Sequence, residues 1–150
     1  MTINVNGQPK EAFNLILRRE YAEQILAGSK TVEFRSDSDY YFDMFVDKEI
    51  AEHNKANGAV YGDDNWEFWF KDVRYIHFHN YNNTWFLDVA IKEIGQFMLD
   101  SEDVEYYAED YPDFAELLAQ AQANDKLPIE ARPMMYFLAI DKVIDTNLPR

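Results

Sequence analysis

The residues with the clearest chemical potential fall in one stretch, Gly28-Ser29-Lys30-Thr31-Val32-Glu33-Phe34-Arg35, which reads G-x-K-x-x-E-x-R. Gly28 follows a helical pattern and can adopt the positive φ that ends a helix. Lys30 begins the next strand, where Glu33 and Arg35 lie two residues apart and so share one face. A lysine, a carboxylate and a guanidinium held together suit an anionic or amide-bearing substrate. The simpler interpretation is an ion pair between Glu33 and Arg35 beside a solvated Lys30.

A second candidate lies in the segment Val73–Tyr81, where strict alternation places Tyr75, His77 and His79 on one strand face. Two histidines so spaced can both reach one metal ion, but the spacing nominates no third ligand. We therefore predict neither a metal nor a cofactor. If the protein cleaves RNA, His77 or His79 would move the proton, with Tyr75 as a hydrogen-bond donor. The alternative is that both histidines are packed, each with one satisfied nitrogen.

Composition limits the class of protein. The chain has 150 residues, 47% of them hydrophobic, which favours a single domain with a substantial core. It has no cysteine, so a disulfide scaffold, thiol catalysis and thiolate zinc sites are excluded. No apolar run approaches the roughly 20 residues that span a bilayer. We therefore expect a cytoplasmic protein that does not bind membranes.

The net charge of −14 is unevenly distributed. Residues 1–36 carry five basic and four acidic side chains, whereas residues 37–150 carry nine basic and 24 acidic. Non-specific binding of duplex DNA is not expected, because it requires many neutralised phosphates. A local basic cleft in the first quarter could still bind RNA or a nucleotide, with Arg18 and Arg19 as phosphate contacts. The acidic run over residues 100–116 is either a solvated face or a surface for a basic protein partner.

Aromatic residues are dense over residues 61–86, which contain ten of them. Bases of single-stranded nucleic acid stack on such rings, so this segment is a candidate for ligand stacking. The alternative is that the rings fill the core of a barrel.

Apolar periodicity predicts the elements that position these residues. Residues 1–13 read as a loose leader. The elements that follow are a strand at Asn14–Arg18, a helix at Arg19–Ala27, a strand at Lys30–Arg35, a helix at Asp39–Asn57, strands at Trp66–Phe70, Val73–Tyr81 and Phe86–Met98, a helix from Pro112 and a strand at Met134–Ile144. The apolar positions expected inside one barrel are Leu15, Leu17, Val32, Phe34, Val89, Ile91, Phe137 and Ala139.

The sequence resembles the ASCH domain family of the PUA-like superfamily. Gly28, Lys30, Glu33 and Arg35 match the family's G-x-K-x-x-E-x-R signature, and the order of elements around them is similar. The resemblance implies an α+β fold, with a small, mostly antiparallel β-barrel and about three flanking helices. It implies one domain over residues 1–150, with a helical insertion at about residues 37–65.

The resemblance also implies a ligand-binding cleft beside the first helix. Its expected ligand is RNA or a nucleotide, and its expected lining is Arg18, Arg19, Gly28, Lys30, Glu33 and Arg35. Some family members are ribonucleases, and a shorter group hydrolyses the acetyl amide of modified cytidines, using the motif lysine and a threonine where this chain has Glu33. Lys30 and Glu33 are therefore candidate catalytic residues, with Lys30 expected to act as a fixed positive charge.

Three functions remain open at this point. We predict an RNA- or nucleotide-binding protein that, if it is an enzyme, is a metal-independent ribonuclease. The first alternative is an amidohydrolase acting on acetylated cytidine or a related nucleoside. The second is an acidic protein-interaction module.

Overall fold

The computed structural model describes residues 1–150, which form seven strands and five α-helices. The strands are β1 (Thr2–Val5), β2 (Gln8–Glu11), β3 (Phe13–Ile16), β4 (Val32–Ser36), β5 (Tyr75–His79), β6 (Phe86–Met98) and β7 (Met134–Thr146). The helices are α1 (Arg19–Ala27), α2 (Asp39–Phe45), α3 (Lys48–Ala56), α4 (Ser101–Ala108) and α5 (Leu118–Asn124), with 3-10 helices at Pro112–Leu117 and Ile129–Ala131. No helix is long and apolar enough to cross a membrane.

Five strands form a curled sheet in the order β3-β5-β6-β7-β4. Only β3 and β5 are parallel, and the other neighbours are antiparallel. The long strands β6 and β7 shift register at three places, and such bulges bend and twist a sheet. The result is a half-barrel, which supports the predicted PUA-like α+β class. Its edges are β3 and β4, the two strands that flank α1, and we call the gap between them the seam.

The helix count is higher than the sequence analysis predicted. Asp39–Asn57 is not one helix, because Asp47 caps the start of α3 and the backbone before it bonds elsewhere: the Asp47 N–H donates to Trp69 O, and the Lys71 N–H to Phe45 O. The acidic residues after Met98 also form a helix, α4. Asp100 caps it, and carboxylates in its first turn are favoured by the helix dipole.

Two other segments have a structure that differs from the prediction. Residues 1–13 are not a loose leader, because β1 and β2 form a hairpin around Asn6 and Gly7, both with positive φ. β2 is exposed along its whole length, so it carries no apolar alternation to predict it. Trp66–Phe70 is not a strand, since its one ladder contact is an isolated bridge from Phe70 to Val46.

The apolar side chains form two cores instead of one. The larger fills the inside of the half-barrel and includes Leu15, Phe78 and Val89. The smaller lies outside the sheet, where Val32 and Phe137 pack against α4 and the 3-10 helix at Pro112–Leu117. Placing Val32, Phe34 and Phe137 inside one barrel was therefore wrong, and so was placing Ala139 there, because it pairs with Val32 and shares its face. Helices cover this part of the sheet, so both faces of β4 are enclosed and the polar alternate positions turn toward the barrel interior.

The carboxylate of Asp113 anchors β4 to the 3-10 helix. It accepts hydrogen bonds from the Thr31 N–H (2.9 Å), the Thr31 hydroxyl (2.8 Å) and the Val32 N–H (3.1 Å). This contact joins residues about 80 positions apart and holds the start of the strand that carries Glu33 and Arg35.

Replacing Asp113 by alanine is expected to lower the free energy of unfolding by about 2–3 kcal/mol, because two backbone donors and a hydroxyl lose a charged acceptor. Urea denaturation measures the loss, and hydrogen exchange at Thr31 and Val32 should accelerate. Asp110→Ala is the matched control, since Asp110 is exposed and accepts no such bonds; it should cost less than about 0.5 kcal/mol. Equal losses in the two variants would contradict the anchoring role.

Candidate functional site at the seam

The motif side chains are positioned by the pairing of β4 with β7. Glu33 lies opposite Leu138 and Arg35 opposite Tyr136, so both point to the barrel interior with those apolar partners. Lys30 precedes the strand by two residues. Gly28 has a left-handed backbone (φ 81°) that ends α1 and turns the chain toward β4, which places Lys30 just before that strand.

Lys30, Glu33 and Arg35 form one nearly buried charge cluster. Lys30 Nζ lies 3.7 Å from Glu33 Oε2, and Arg35 Nε lies 3.4 Å from Glu33 Oε1. The side chains are 15%, 9% and 13% exposed, so Lys30 is not the solvated side chain of the simpler interpretation. Lys30 Nζ also donates to Val32 O (2.8 Å) and sits 5.2 Å from the centre of the Tyr21 ring.

Arg35 bridges the seam. Its Nη2 donates to the carbonyl oxygen of Ile16 on β3 (2.8 Å), and its Nη1 donates to the hydroxyl of Tyr41 on α2 (2.8 Å). Each of these nitrogens carries a second N–H. The two edge strands do not pair through their backbones, so this guanidinium supplies a side-chain hydrogen bond where a closed barrel would have a ladder.

Burial raises the pKa of the Glu33 carboxyl above its ordinary value, because loss of solvation outweighs the opposing charges of Lys30 and Arg35. The contacts explain why the opposition is incomplete. Glu33 Oε2 and Arg35 Nε are buried, and neither has a partner at hydrogen-bonding distance and angle. In this cluster two cations, Lys30 and Arg35, share one carboxylate, and burial disfavours the ionised form of that carboxylate.

A groove of about 340 Å³ opens beside Arg35 at the seam, and we call it the seam groove. Among the motif residues only Arg35 lines it; the other lining residues are Asn14, Leu15, Ile16, Tyr40, Tyr41 and His79. Tyr40 is 65% exposed, and its ring lies edge-on to that of Tyr41, with the ring centres 5.1 Å apart. A guanidinium, an amide, two phenols and an imidazole therefore share one concave surface.

The two histidines of β5 are stacked, 5.6 Å between ring centres, but line different cavities. His79 Nδ1 is 2.8 Å from Asn80 O, and because a carbonyl only accepts, this nitrogen carries the proton. Its Nε2 is then free to accept one. His77 Nδ1 contacts Asp88 at 2.5 Å, beside β1 rather than at the seam. The structure contains no cluster of three metal-ligating side chains.

The remaining residues of the predicted site lie away from the seam groove. Arg18 and Arg19 are exposed at the start of α1, where they contact Glu20 (3.7 Å) and Glu23 (2.9 Å). The half-buried Tyr75 makes no side-chain hydrogen bond to either histidine. Sequence reasoning missed Asn14, Tyr40 and Tyr41. Nothing in the sequence motif points to these three residues, because only the curl of the sheet and the position of α2 bring them close to Arg35.

The acidic run over residues 100–116 is partly structural. Asp100 caps α4 and contacts Arg132 Nη1 (3.0 Å), while Asp103 accepts from the Met98 N–H (2.8 Å). Asp113 anchors β4, as described above. The exposed acids left on this face are Glu102, Glu105, Glu109, Asp110 and Glu116.

The curled, mostly antiparallel sheet with its flanking helices is consistent with a PUA-like fold. The family model of the ASCH domain matches residues 15–132, so the chain belongs to the ASCH domain family. This confirms the resemblance inferred from the motif and suggests an RNA-binding type of function at the level of the family. No curated protein and no solved structure matches the chain.

The raised pKa of Glu33 predicts how its contribution to stability changes with pH. The folded state binds this proton more tightly than the unfolded state, so the contribution falls as pH rises from about 4.5 through the folded pKa of Glu33. The difference in unfolding free energy between the wild type and Glu33→Gln should decline over this window and then level off. Glu52→Gln, which removes an exposed carboxylate on α3, supplies the baseline. A difference that rises with pH would contradict the raised pKa.

Proposed function

We propose that the protein binds single-stranded RNA or a nucleotide in the seam groove. In this proposal the Arg35 guanidinium faces a phosphate and the exposed Tyr40 ring stacks on a base. The observation that carries it is a positive group at a concave surface of a chain whose net charge is −14.

The contacts of Arg35 support phosphate recognition. Its two terminal nitrogens bond only neutral oxygens, and its nearest carboxylate, Glu33, is shared with Lys30. The guanidinium is therefore oriented without being fully neutralised, and a fixed guanidinium with spare N–H groups suits phosphate oxygens.

The size of the groove supports a single nucleotide unit as the group that is bound. Its volume of about 340 Å³ lies at the lower end of the range typical of small-molecule sites. The neighbouring amide of Asn14 can donate to and accept from a base edge. One arginine neutralises few phosphates, so the salt dependence of binding should be shallow.

Tyr40→Ala is expected to weaken binding of a short single-stranded RNA by about 1–3 kcal/mol, the usual cost of losing one base–aromatic stack. Fluorescence anisotropy with a labelled oligonucleotide at two salt concentrations measures this loss. Tyr106→Ala is the matched control, because Tyr106 is equally exposed but lies on the acidic helix α4. The proposal fails if the two variants bind alike. Arg35→Ala is a poor probe, since it also opens the seam.

A metal-independent ribonuclease activity is a second candidate, favoured by the free Nε2 of His79 in the same groove. In the step we propose, this nitrogen accepts the proton of a ribose 2′-hydroxyl, whose oxygen attacks the adjacent phosphorus. The bond from phosphorus to the 5′-oxygen breaks, that oxygen takes a proton from solvent, and a 2′,3′-cyclic phosphate remains. Arg35 would stabilise the charge that develops on the phosphate.

Incubation with labelled RNA in EDTA tests this step, and N4-acetylcytidine tests the amidohydrolase alternative. Cleavage that survives EDTA should be lost in His79→Gln and retained in His77→Gln.

Deacetylation that is lost in Lys30→Arg would instead assign the chemistry to the Lys30 amine, because this variant keeps the charge. RNA binding without either reaction would leave a binding protein, and loss of a basic protein partner on neutralising the acids of residues 100–116 would favour the interaction module.

A further inference from the structure

A second cavity, of about 400 Å³, lies between residues 70–74, which lead into β5, and residues 91–94 of β6. It shares no lining residue with the seam groove. Three cations line it: Lys71, Arg74 and Lys92. We call it the bulge cavity.

The cavity exists because β6 is irregular at this point. Ile91 pairs with Ile140 and Glu93 pairs with Ala139, which leaves Lys92 as the extra residue of a β-bulge. A regular strand sends neighbouring side chains to opposite faces, yet four consecutive residues from Ile91 onward line one cavity. Bulges re-aim side chains in this way and are frequent beside functional sites.

Two of the three cations have no carboxylate partner. Lys71 Nζ donates to the backbone oxygen of Asp43 (2.9 Å), and Lys92 Nζ lies 5.5 Å from the centre of the Tyr111 ring. Neither lysine takes part in an ion pair.

Two acids, Asp72 and Glu93, also line the cavity, so its three cations leave a net charge of +1. Glu93 accepts the hydroxyl of Tyr111. Asp72 pairs with Arg74 at 3.0 Å, but both side chains are largely exposed, and such pairs are weak and easily exchanged. The bulge cavity thus gathers three of the nine basic residues of the strongly acidic segment 37–150.

An exposed aromatic ring completes the site. Phe68 lines the cavity with 65% of its surface exposed, and Phe70 lies behind it with the ring centres 5.4 Å apart. An exposed phenyl ring at the edge of a cavity is available for stacking on a base. Beside unpaired lysines, the combination matches the two parts of a nucleotide, a flat base and an anionic phosphate.

We propose that the bulge cavity binds a nucleoside phosphate, with Lys71, Arg74 and Lys92 at the phosphate and Phe68 stacked on the base. The ligand is either a free nucleotide or one unit of a single-stranded RNA. This site is independent of the seam groove, so it can be occupied whether or not the proposed function of that groove holds.

Titration with uridine 5′-monophosphate, uridine and a short uridine oligonucleotide tests the proposal, with calorimetry for affinity and amide NMR shifts for location. Uridine monophosphate should bind, shift the Lys92 and Arg74 amides and outcompete uridine. Lys92→Gln should weaken its binding by about tenfold, near the value for a lost charge-assisted hydrogen bond. Phe68→Ala should weaken it to a similar degree, because one base–aromatic stack is lost. Lys142→Gln, an exposed lysine on β7 outside the cavity, is the matched control.

The variants separate this site from the seam groove. Tyr40→Ala should leave uridine monophosphate at the bulge cavity unchanged, and Lys92→Gln should leave any binding at the seam groove unchanged. If the oligonucleotide is weakened by Lys92→Gln as well, the ligand is a strand unit; if only the mononucleotide is weakened, it is a free nucleotide. The proposal is overturned if folded Lys92→Gln and Phe68→Ala proteins, verified by thermal melting, bind both phosphate ligands like the wild type.

Discussion

A five-stranded sheet that curls into a half-barrel has two edges that must meet without pairing, and one guanidinium satisfies that constraint here. Arg35 on β4 donates to the Ile16 carbonyl on β3 and to the Tyr41 hydroxyl on α2. An edge strand otherwise presents unpaired backbone groups. Placing a cation at this position requires a counter-charge, and Glu33 supplies it from the same strand face. The motif is thus first a means of closing the seam.

The same arrangement creates the positive site. Burial raises the pKa of Glu33 even though the charges of Lys30 and Arg35 oppose the rise. One carboxylate is shared by the two cations, which are therefore incompletely balanced. Part of the acidity of the chain is committed to structural hydrogen bonds. Asp100 and Asp103 cap or brace α4, and Asp113 anchors β4 from outside the sheet. A chain with a strongly negative charge can in this way keep a local surface suited to phosphate.

The seam groove and the bulge cavity share the same two features, an oriented cation and an exposed aromatic ring. In each, a cation is oriented by a neutral backbone oxygen, Ile16 O for Arg35 and Asp43 O for Lys71, so its charge is available to a ligand. In each, an exposed aromatic ring lies at the edge, Tyr40 or Phe68. Both sites arise where the sheet departs from regular pairing, at an open seam and at a bulge.

The sequence by itself determined the family and the strand that carries the motif, because four residues at fixed spacing and local apolar periodicity are both read within a few positions of the chain. It also predicted β6 with its observed bounds, Phe86–Met98. It could not decide which face of β4 is inside, since Val32 and Phe34 pack against helices that come some 70 to 85 residues later. The sequence likewise could not predict that Tyr40, Asn14 and His79 lie beside Arg35, or that Lys71 and Lys92 line one cavity. Those positions follow from the curl and the bulges of the sheet, which depend on pairing between distant strands.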